Sequence, residues 1–534
     1  MSLLIKNGTI VDGSGNDRYC GDILIEDEKI TKIAQDIDPG ADTQVIDAKG
    51  LIVAPGFIDT HSHSDLYVLE YPEVMPKISQ GITTEFLGQD GVSMAPLPLE
   101  YIDSWKKNIA GLDGVSKEIS WEYENTENYL KMIEDVNPGL NYAYLVPHGN
   151  VRMEAMGLED RLPTDEEIKK MCDIVRREME AGAYGLSTGL VYIPCAYSEA
   201  KEIIEMCKVV AEYDGVFVTH QRSEADTILD SMDEILEIGR QSGVRVHFSH
   251  FKVCGRKNWK FIPGMLKKLD QAKEEGIRVS LDQYPYPAGS TMLGVALPAW
   301  AHEGGTNKLL ERLRDPEARA RMKKDITEGI PGWDNFVDFA GFDGIFITSV
   351  VSDKNQDLVG LSLEEIGKLQ GKDPFDAMFD LLLEEENGVG MVDFYGTDDH
   401  IREIMERPEM NACTDGLMSP GKPHPRLYGS FPRMIGKFGR EDGNFTLEET
   451  VRKASGKAAD AMVLPKRGYI REGYFADITI FSYEDIIDKG TFTDPIQYPE
   501  GIKYVLVNGN LALDHGKHTE VLNGKVLRKT DDVK

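Results

Sequence analysis

Eight short apolar runs, each closing on polar residues, recur through the middle of this chain: LIVAPGFIDTHSH, GITTEFLGQD, NYAYLVPHGN, AYGLSTGLVY, GVFVTHQRSE, RVHFSHFK, RVSLDQYPY and MNACTDG. Helix-length stretches separate them, a rhythm that predicts parallel strands joined by crossover helices. Eight such units in an α/β chain favour a TIM-type (β/α)8 barrel, whose chemistry sits at the C-terminal ends of its strands. One connecting helix is well marked. Thr164 and Glu167 form a capping box, Ile168, Met171, Cys172 and Val175 supply an apolar face, and Gly182 is placed to stop it.

The ends have another texture. SLLIKNGTIVDG, DILIEDEKITKIA and TQVIDAKGLIVAPG alternate apolar and polar residues between Gly, Asn and Asp turns, as do RGYIREGYFADITIFSYED and IKYVLVNGNLALDHGKH near the C-terminus. Residues 1–55 and 466–534 are therefore expected to build one small β-sandwich domain around a barrel at 56–465. The rhythm lapses at about 299–378, where charged helical stretches such as NKLLERLRDPEARARMKKDI lie between the seventh and eighth runs. This interval reads as an inserted subdomain, placed as a lid over the site.

Charge narrows the choice of partners. With 59 basic and 91 acidic residues the formal charge is −32, which repels nucleic acid and anionic lipid and opposes an anionic substrate at long range. A substrate carboxylate then needs a local basic pocket. The six cysteines are scattered without a CxxC pair, and neither a secretory leader nor a membrane-length apolar run is evident. A reduced, cytoplasmic protein is expected, with no nucleic-acid or membrane partner; a homo-oligomer stays open.

His61 and His63 lie two apart at the end of the first run, so both side chains face one side and suit one metal ion. His220 ends VFVTH and His250 ends VRVHFSH, one helical unit apart. Either alone is equally a buried core histidine; four on three strand ends converge on a metal site. Asp415, in NACTDG, ends the eighth run, where a carboxylate beside a divalent metal can take a proton from water and return it to a leaving nitrogen, although Asp-Gly is also a common turn. His148, ending LVPHGN, is a candidate donor to a developing oxyanion, and a structural role fits it as well. Leu293, Val295, Leu297 and Trp300 offer an apolar side-chain pocket or simply core.

As a set, SLLIKNGTIVDG, GFIDTHSHSD, GITTEFLGQDGVSMAP, GAYGLSTGLVY, THQRSEAD, SHFKVCGRKNW, QYPYPAGSTML, TDGLMSPGKPHPRLYGSFPR and GYFADITIF resemble the amidohydrolase superfamily, and within it the D-aminoacylase branch, the N-acyl-D-amino-acid deacylases. The resemblance implies a zinc hydrolase that releases a carboxylate and a free D-amino acid from a small acylated substrate. It places the tighter metal on His220 and His250, a second position on His61 and His63, and acid/base work on Asp415. For the substrate carboxylate it points to Lys252, Tyr284 and Arg426, with Ser290 and Tyr192 nearby. Where that branch carries a metal-binding Cys in a GNCG segment, this chain reads Gly88, Gln89, Asp90, Gly91, which makes Asp90 the expected ligand. A carboxylate can bridge two ions and is harder than thiolate, so one or two divalent ions are expected, with Mn2+ or Co2+ tolerated beside Zn2+. The alternative is a cyclic amide hydrolase of the dihydropyrimidinase or hydantoinase kind. Many relatives of that kind bridge their metals with a carboxylated lysine, and AYGLSTGLVY has no lysine.

Overall fold

In the computed structural model, which describes residues 2–116 and 118–533, the eight runs become eight parallel strands. They are Phe57–Asp59, Ile82–Leu87, Asn141–Pro147, Gly185–Gly189, Val216–His220, Arg245–Phe248, Val279–Gln283 and Met410–Ala412. Each pairs with its neighbour in chain order around one sheet. The first and eighth strands meet just beyond their C-terminal ends, where Ser62–His63 pairs in parallel with Gly416–Leu417 and the Asp415 N–H donates to the His61 carbonyl at 2.8 Å. The result is a nearly closed TIM-like barrel.

Sequence chemistry explains the pieces. Every residue of Asn141–Pro147 is buried, as a strand covered on both faces requires. The helix Asp165–Glu180 begins at the expected capping box: Thr164 Oγ1 accepts from the Glu167 N–H at 3.2 Å, and Glu167 accepts from the Thr164 N–H at 2.7 Å. It buries Ile168, Met171, Ile174, Val175 and Met179 against the barrel, each contributing about 1.5–3 kcal/mol of transfer free energy. Gly182 follows at φ 110, a left-handed value that L side chains rarely adopt.

Both termini join one mixed sheet of nine strands. Ile52–Pro55 pairs antiparallel with Ile478–Phe481, uniting the two ends of the chain, and Leu3, Ile5, Ile23, Ile25, Val53, Ile478, Ile480 and Leu506 close one apolar core over it. The last segment returns to the barrel: Leu527 N–H donates to Tyr142 O at 2.7 Å and Lys529 N–H to Gly182 O at 2.9 Å.

Between the seventh and eighth strands lies a three-stranded antiparallel sheet, Ala288–Met292, Val389–Phe394 and Ile345–Val350. Helices including Thr306–Arg314, Pro316–Glu328 and Pro374–Glu384 pack on it around a separate apolar cluster with Leu309, Leu313, Ile347, Met378 and Met391. This sheet reaches beyond 299–378 at both ends. Leu293 and Leu297 belong to that cluster and do not line the site cavity, while Val295 and Leu297 line a neighbouring pocket that shares Tyr192 with it. Among the described residues no helix is long and apolar enough to cross a membrane, and all six cysteines are free thiols.

Candidate metal centre

The strand ends deliver their side chains to one mouth by unusual backbone. Asp90 (φ 57), His250 (φ 34) and Asp415 (φ 48) all stand in the left-handed region, a conformation that costs roughly 1–3 kcal/mol per residue and gathers at functional sites. Gly88 and Gly91 flank Asp90 at φ 77 and 69. A Cβ at Gly88 would lie 2.1 Å from the Leu145 carbonyl oxygen, so glycine is required for this turn to lie against the third strand. Asp90 is thereby turned toward the histidines.

Six buried side chains converge. His61 Nε2 is 3.5 Å from Asp90 Oδ2 and 3.7 Å from Asp415 Oδ1, and His63 Nε2 is 3.5 Å from each of the same two oxygens. His250 Nε2 lies 3.7 Å from Asp90 Oδ1 and 3.0 Å from His220 Nδ1. Ligands of one tetrahedral ion with bonds of about 2.0–2.2 Å stand at about 3.3–3.6 Å from each other, close to the spacing observed. His61 Nε2, His63 Nε2 and Asp90 Oδ1 are buried with no hydrogen-bond partner. Three sets can each hold an ion: His61, Asp90 and His250; His61, His63 and Asp415; His220, Glu224 and His250. The donor set, imidazole and carboxylate, fits zinc and the harder first-row divalent ions.

Protonation follows the same charges. Burial alone would lower the His63 pKa, but Asp113, Asp415 and Asp90 around the ring hold it well above the usual imidazole value. Burial would raise Asp90, yet His61, His250 and His63 hold it well below the carboxylate range. A divalent ion replaces such imidazole protons, which couples metal affinity to pH. His220 is pushed down to about 4 by burial, with His250 and Lys252 adding to the effect against Glu224, which leaves its ring neutral and able to ligate.

The supporting shell was less visible in the sequence. Asp113 Oδ1 lies 3.5 Å from His63 Nδ1, which favours a proton on that nitrogen and directs the Nε2 lone pair toward Asp90, and Glu224 Oε1 lies 3.2 Å from His250 Nδ1. Asp282 accepts from the His250 N–H at 2.5 Å, and its other oxygen takes Thr60 Oγ1 at 2.8 Å and His247 Nε2 at 2.9 Å. Asp282 sits near the end of the seventh strand, where the strand-end rule could have found it. Glu224 and Asp113 lie in a loop and at a helix end, with no periodicity to mark them.

A cavity opens on this cluster. It is lined by His63, Asp90, His220, His250 and Asp415, and also by Lys252, Tyr284, Arg426, Ser290 and Tyr192. His61 touches Asp90 and Asp415 without lining it. The fully buried Arg426 places Nη1 2.9 Å from Asp415 Oδ2, donates from Nη2 to Ser290 O at 2.9 Å, and stacks its guanidinium 4.4 Å from the Tyr284 ring centre. Lys252 Nζ lies 2.7 Å from Glu224 Oε2 and 2.8 Å from His250 Nδ1. Tyr284 shares a 2.5 Å hydrogen bond with Tyr395, Tyr192 one of 2.9 Å with Thr291, and Ser290 Oγ donates to Met391 O at 2.8 Å.

His148 requires a correction. Both its ring nitrogens are occupied, Nδ1 by Thr188 Oγ1 and Nε2 by Glu202 Oε1, each at 2.8 Å, and Glu202 also pairs with buried Arg152 at 2.5 Å. It does not line the cavity. The histidine opens the helix His148–Met156 and points into a structural ion network, so it cannot serve an oxyanion.

A family model described as the amidohydrolase family matches residues 44–512. The chain belongs to the amidohydrolase family. This amidohydrolase is 33% identical over 528 residues to D-aminoacylase of Alcaligenes xylosoxydans xylosoxydans, a match covering 99% of this chain and 98% of the relative. It superposes with a TM-score of 0.82 and 32% identity on N-acyl-D-glutamate deacylase from Bordetella bronchiseptica, solved with zinc and a phosphonate mimic of the tetrahedral intermediate, covering 98% and 99% of the two chains. A D-aminoacylase structure solved to define the role of its binuclear metal centre gives a TM-score of 0.83 at 30% identity, with 98% and 99% covered. The amidohydrolase thus shares its full length and fold with metal-dependent deacylases.

Proposed function

We propose that this amidohydrolase hydrolyses the amide bond of N-acyl-D-amino acids, giving a carboxylate and a free D-amino acid. The observation that carries the reading is one cavity lined both by histidines and carboxylates able to hold a divalent ion and by a cation and phenol set, Lys252, Arg426, Tyr284 and Tyr192, suited to a substrate carboxylate. The D configuration is the one acted on by the relatives at about 30% identity.

His61, His63, Asp90, His220, His250 and Asp415 would hold one or two divalent ions, zinc first, with Asp90 offering one oxygen toward His250 and the other toward His61 and His63. A divalent ion there supplies Lewis acidity, which lowers the pKa of water and polarises the amide carbonyl. Asp415 handles the proton. Arg426 fixes its Oδ2, and although burial would raise its pKa, Arg426 and His61 hold the carboxyl far below the usual range. Its Oδ1 faces His61 and His63, placed to take a proton from the attacking water and pass it to the departing nitrogen. Arg426 Nε is buried without an acceptor, a donor available to the substrate carboxylate beside the Lys252 ammonium. The cyclic amide reading is disfavoured by a fourth strand, GLSTG, that carries no lysine.

The test is amine release by the metal-replete enzyme from paired N-acetyl-D- and N-acetyl-L-amino acids, with hydantoin and dihydrouracil as rivals. Release from the D series supports the reading. Ring opening with silence on every acyl amino acid refutes it.

A further inference from the structure

Five carboxylates line the cavity, and four have work to do. Asp90 and Asp415 face the imidazoles, and Glu224 pairs with Lys252. Asp334 accepts from Ser223 Oγ at 2.6 Å and from the Glu224 N–H at 2.7 Å, tying the inserted subdomain to the loop after the fifth strand. Asp393 has no such role. It sits on Val389–Phe394 of the inserted sheet at 2% exposure, and its Oδ2 is buried with no hydrogen-bond partner. A buried carboxylate left unpaired is costly, so a partner arriving with the substrate is its natural complement. Lys252 and Arg426 reach Asp393 only through space, and their direct ion pairs are with Glu224 and Asp415.

The surroundings make room for that partner. Gly289 stands opposite Asp393 on the neighbouring strand. A Cβ there would fall 2.9 Å from Asp393 Oδ1 and 3.0 Å from Tyr395 Cε1, and Gly289 has no left-handed backbone to explain its choice, so the missing side chain serves space. Phe336 and Phe339 line the same cavity, and their ring faces attract a cation, whereas the Tyr395 ring already has Lys252 Nζ 5.9 Å from its centre. At long range a formal charge of −32 draws cations in and opposes a second carboxylate.

We propose that Asp393 reads the substrate side chain, and that the preferred substrates are N-acyl-D-amino acids ending in an ammonium or guanidinium group, as lysine, ornithine and arginine do. This rests on the deacylase reading above and specifies its substrate class. The α-carboxylate goes to Lys252 and Arg426, and the side-chain cation to Asp393 and its aromatic neighbours.

The test is kcat/KM of the metal-replete enzyme for the N-acetyl derivatives of D-lysine, D-arginine, D-leucine, D-methionine and D-glutamate, with Nα,Nε-diacetyl-D-lysine as the lysine shape without its charge. Expected are a lysine or arginine preference over leucine of at least about tenfold, loss of that preference in the diacetyl compound, and glutamate last. In Asp393→Asn the lysine-to-leucine ratio falls at least about tenfold; because a ratio is read, a partly folded variant does not imitate the result. Preference for leucine, methionine or glutamate in the native enzyme overturns the inference alone, as does a variant that slows every substrate equally. Silence on the whole D series overturns both this inference and the deacylase reading.

Discussion

Lys77 Nζ lies 2.7 Å from Glu85 Oε1, and neither side chain is exposed to solvent. The same ammonium reaches Asp59 Oδ2, Ser62 Oγ and Thr414 Oγ1, each at 2.8 Å, so one cation fastens the first strand, the second strand and the residue before Asp415. Burial alone would lower its pKa; Asp59 and Glu85 more than reverse that. Lys77→Met leaves both carboxylates buried without a counter-ion, and the expected loss is about 3–5 kcal/mol of stability. Urea unfolding checks this, and metal analysis should show weaker binding as His61, His63 and Asp415 lose their common register. An unchanged unfolding midpoint would refute the seam.

Asp415→Asn keeps the shape of the side chain but removes its capacity to accept a proton. Turnover is expected to drop by about 10^2–10^4, with most metal retained on Asp90 and the four histidines. Wild-type rates in the variant would exclude the acid/base role.

Exhaustive chelation is expected to abolish activity, and adding back zinc, manganese or cobalt to restore it, with up to two ions per chain by elemental analysis. Asp90→Ala should lower the stoichiometry, because its two oxygens face different histidines. A single tightly held zinc, unaffected by Asp90→Ala, would contradict the bridging role.

His302 supplies a pH dependence away from the metal site. Its Nε2 donates to Gly294 O at 3.0 Å, and burial, opposed by that bond and aided by Arg312, pushes its pKa down to about 4 from 6.5. Below pH 6.5 the unfolded chain takes up a proton that the folded ring refuses. Its contribution is therefore complete above pH 6.5 and is lost as the pH falls through 4. Partial exposure keeps the effect to about 2 kcal/mol. In His302→Gln the fall in urea midpoint between pH 7 and pH 4.5 should be shallower than in the native protein; parallel curves would dismiss it.

The barrel was legible because each of its strands is an apolar run that must end in polar residues at an open mouth, and His61, His63, His220, His250 and Asp415 are those residues. His148 obeyed the same pattern and misled, because its ring opens a helix and is consumed by Thr188 and Glu202. Glu224, Asp113 and Asp393 could not be read from spacing. Each owes its place to the packing of a loop, a helix end or an inserted strand against the mouth, which is a tertiary relation with no local period. The inserted sheet was blurred for a similar reason: AGSTM, the strand Ala288–Met292, has little of the aliphatic weight that marks a buried strand.

The pairing of Ile52–Pro55 with Ile478–Phe481 makes the order of synthesis matter. These partners leave the ribosome roughly 430 residues apart, which at about 5–20 residues per second is about 20–90 s. Throughout that time Leu3, Ile5, Ile23 and Val53 present an apolar face whose other half has not been made. A message truncated before Ile478 would yield a barrel still carrying a sticky, half-built sheet at its edge, a natural target for chaperones and proteases.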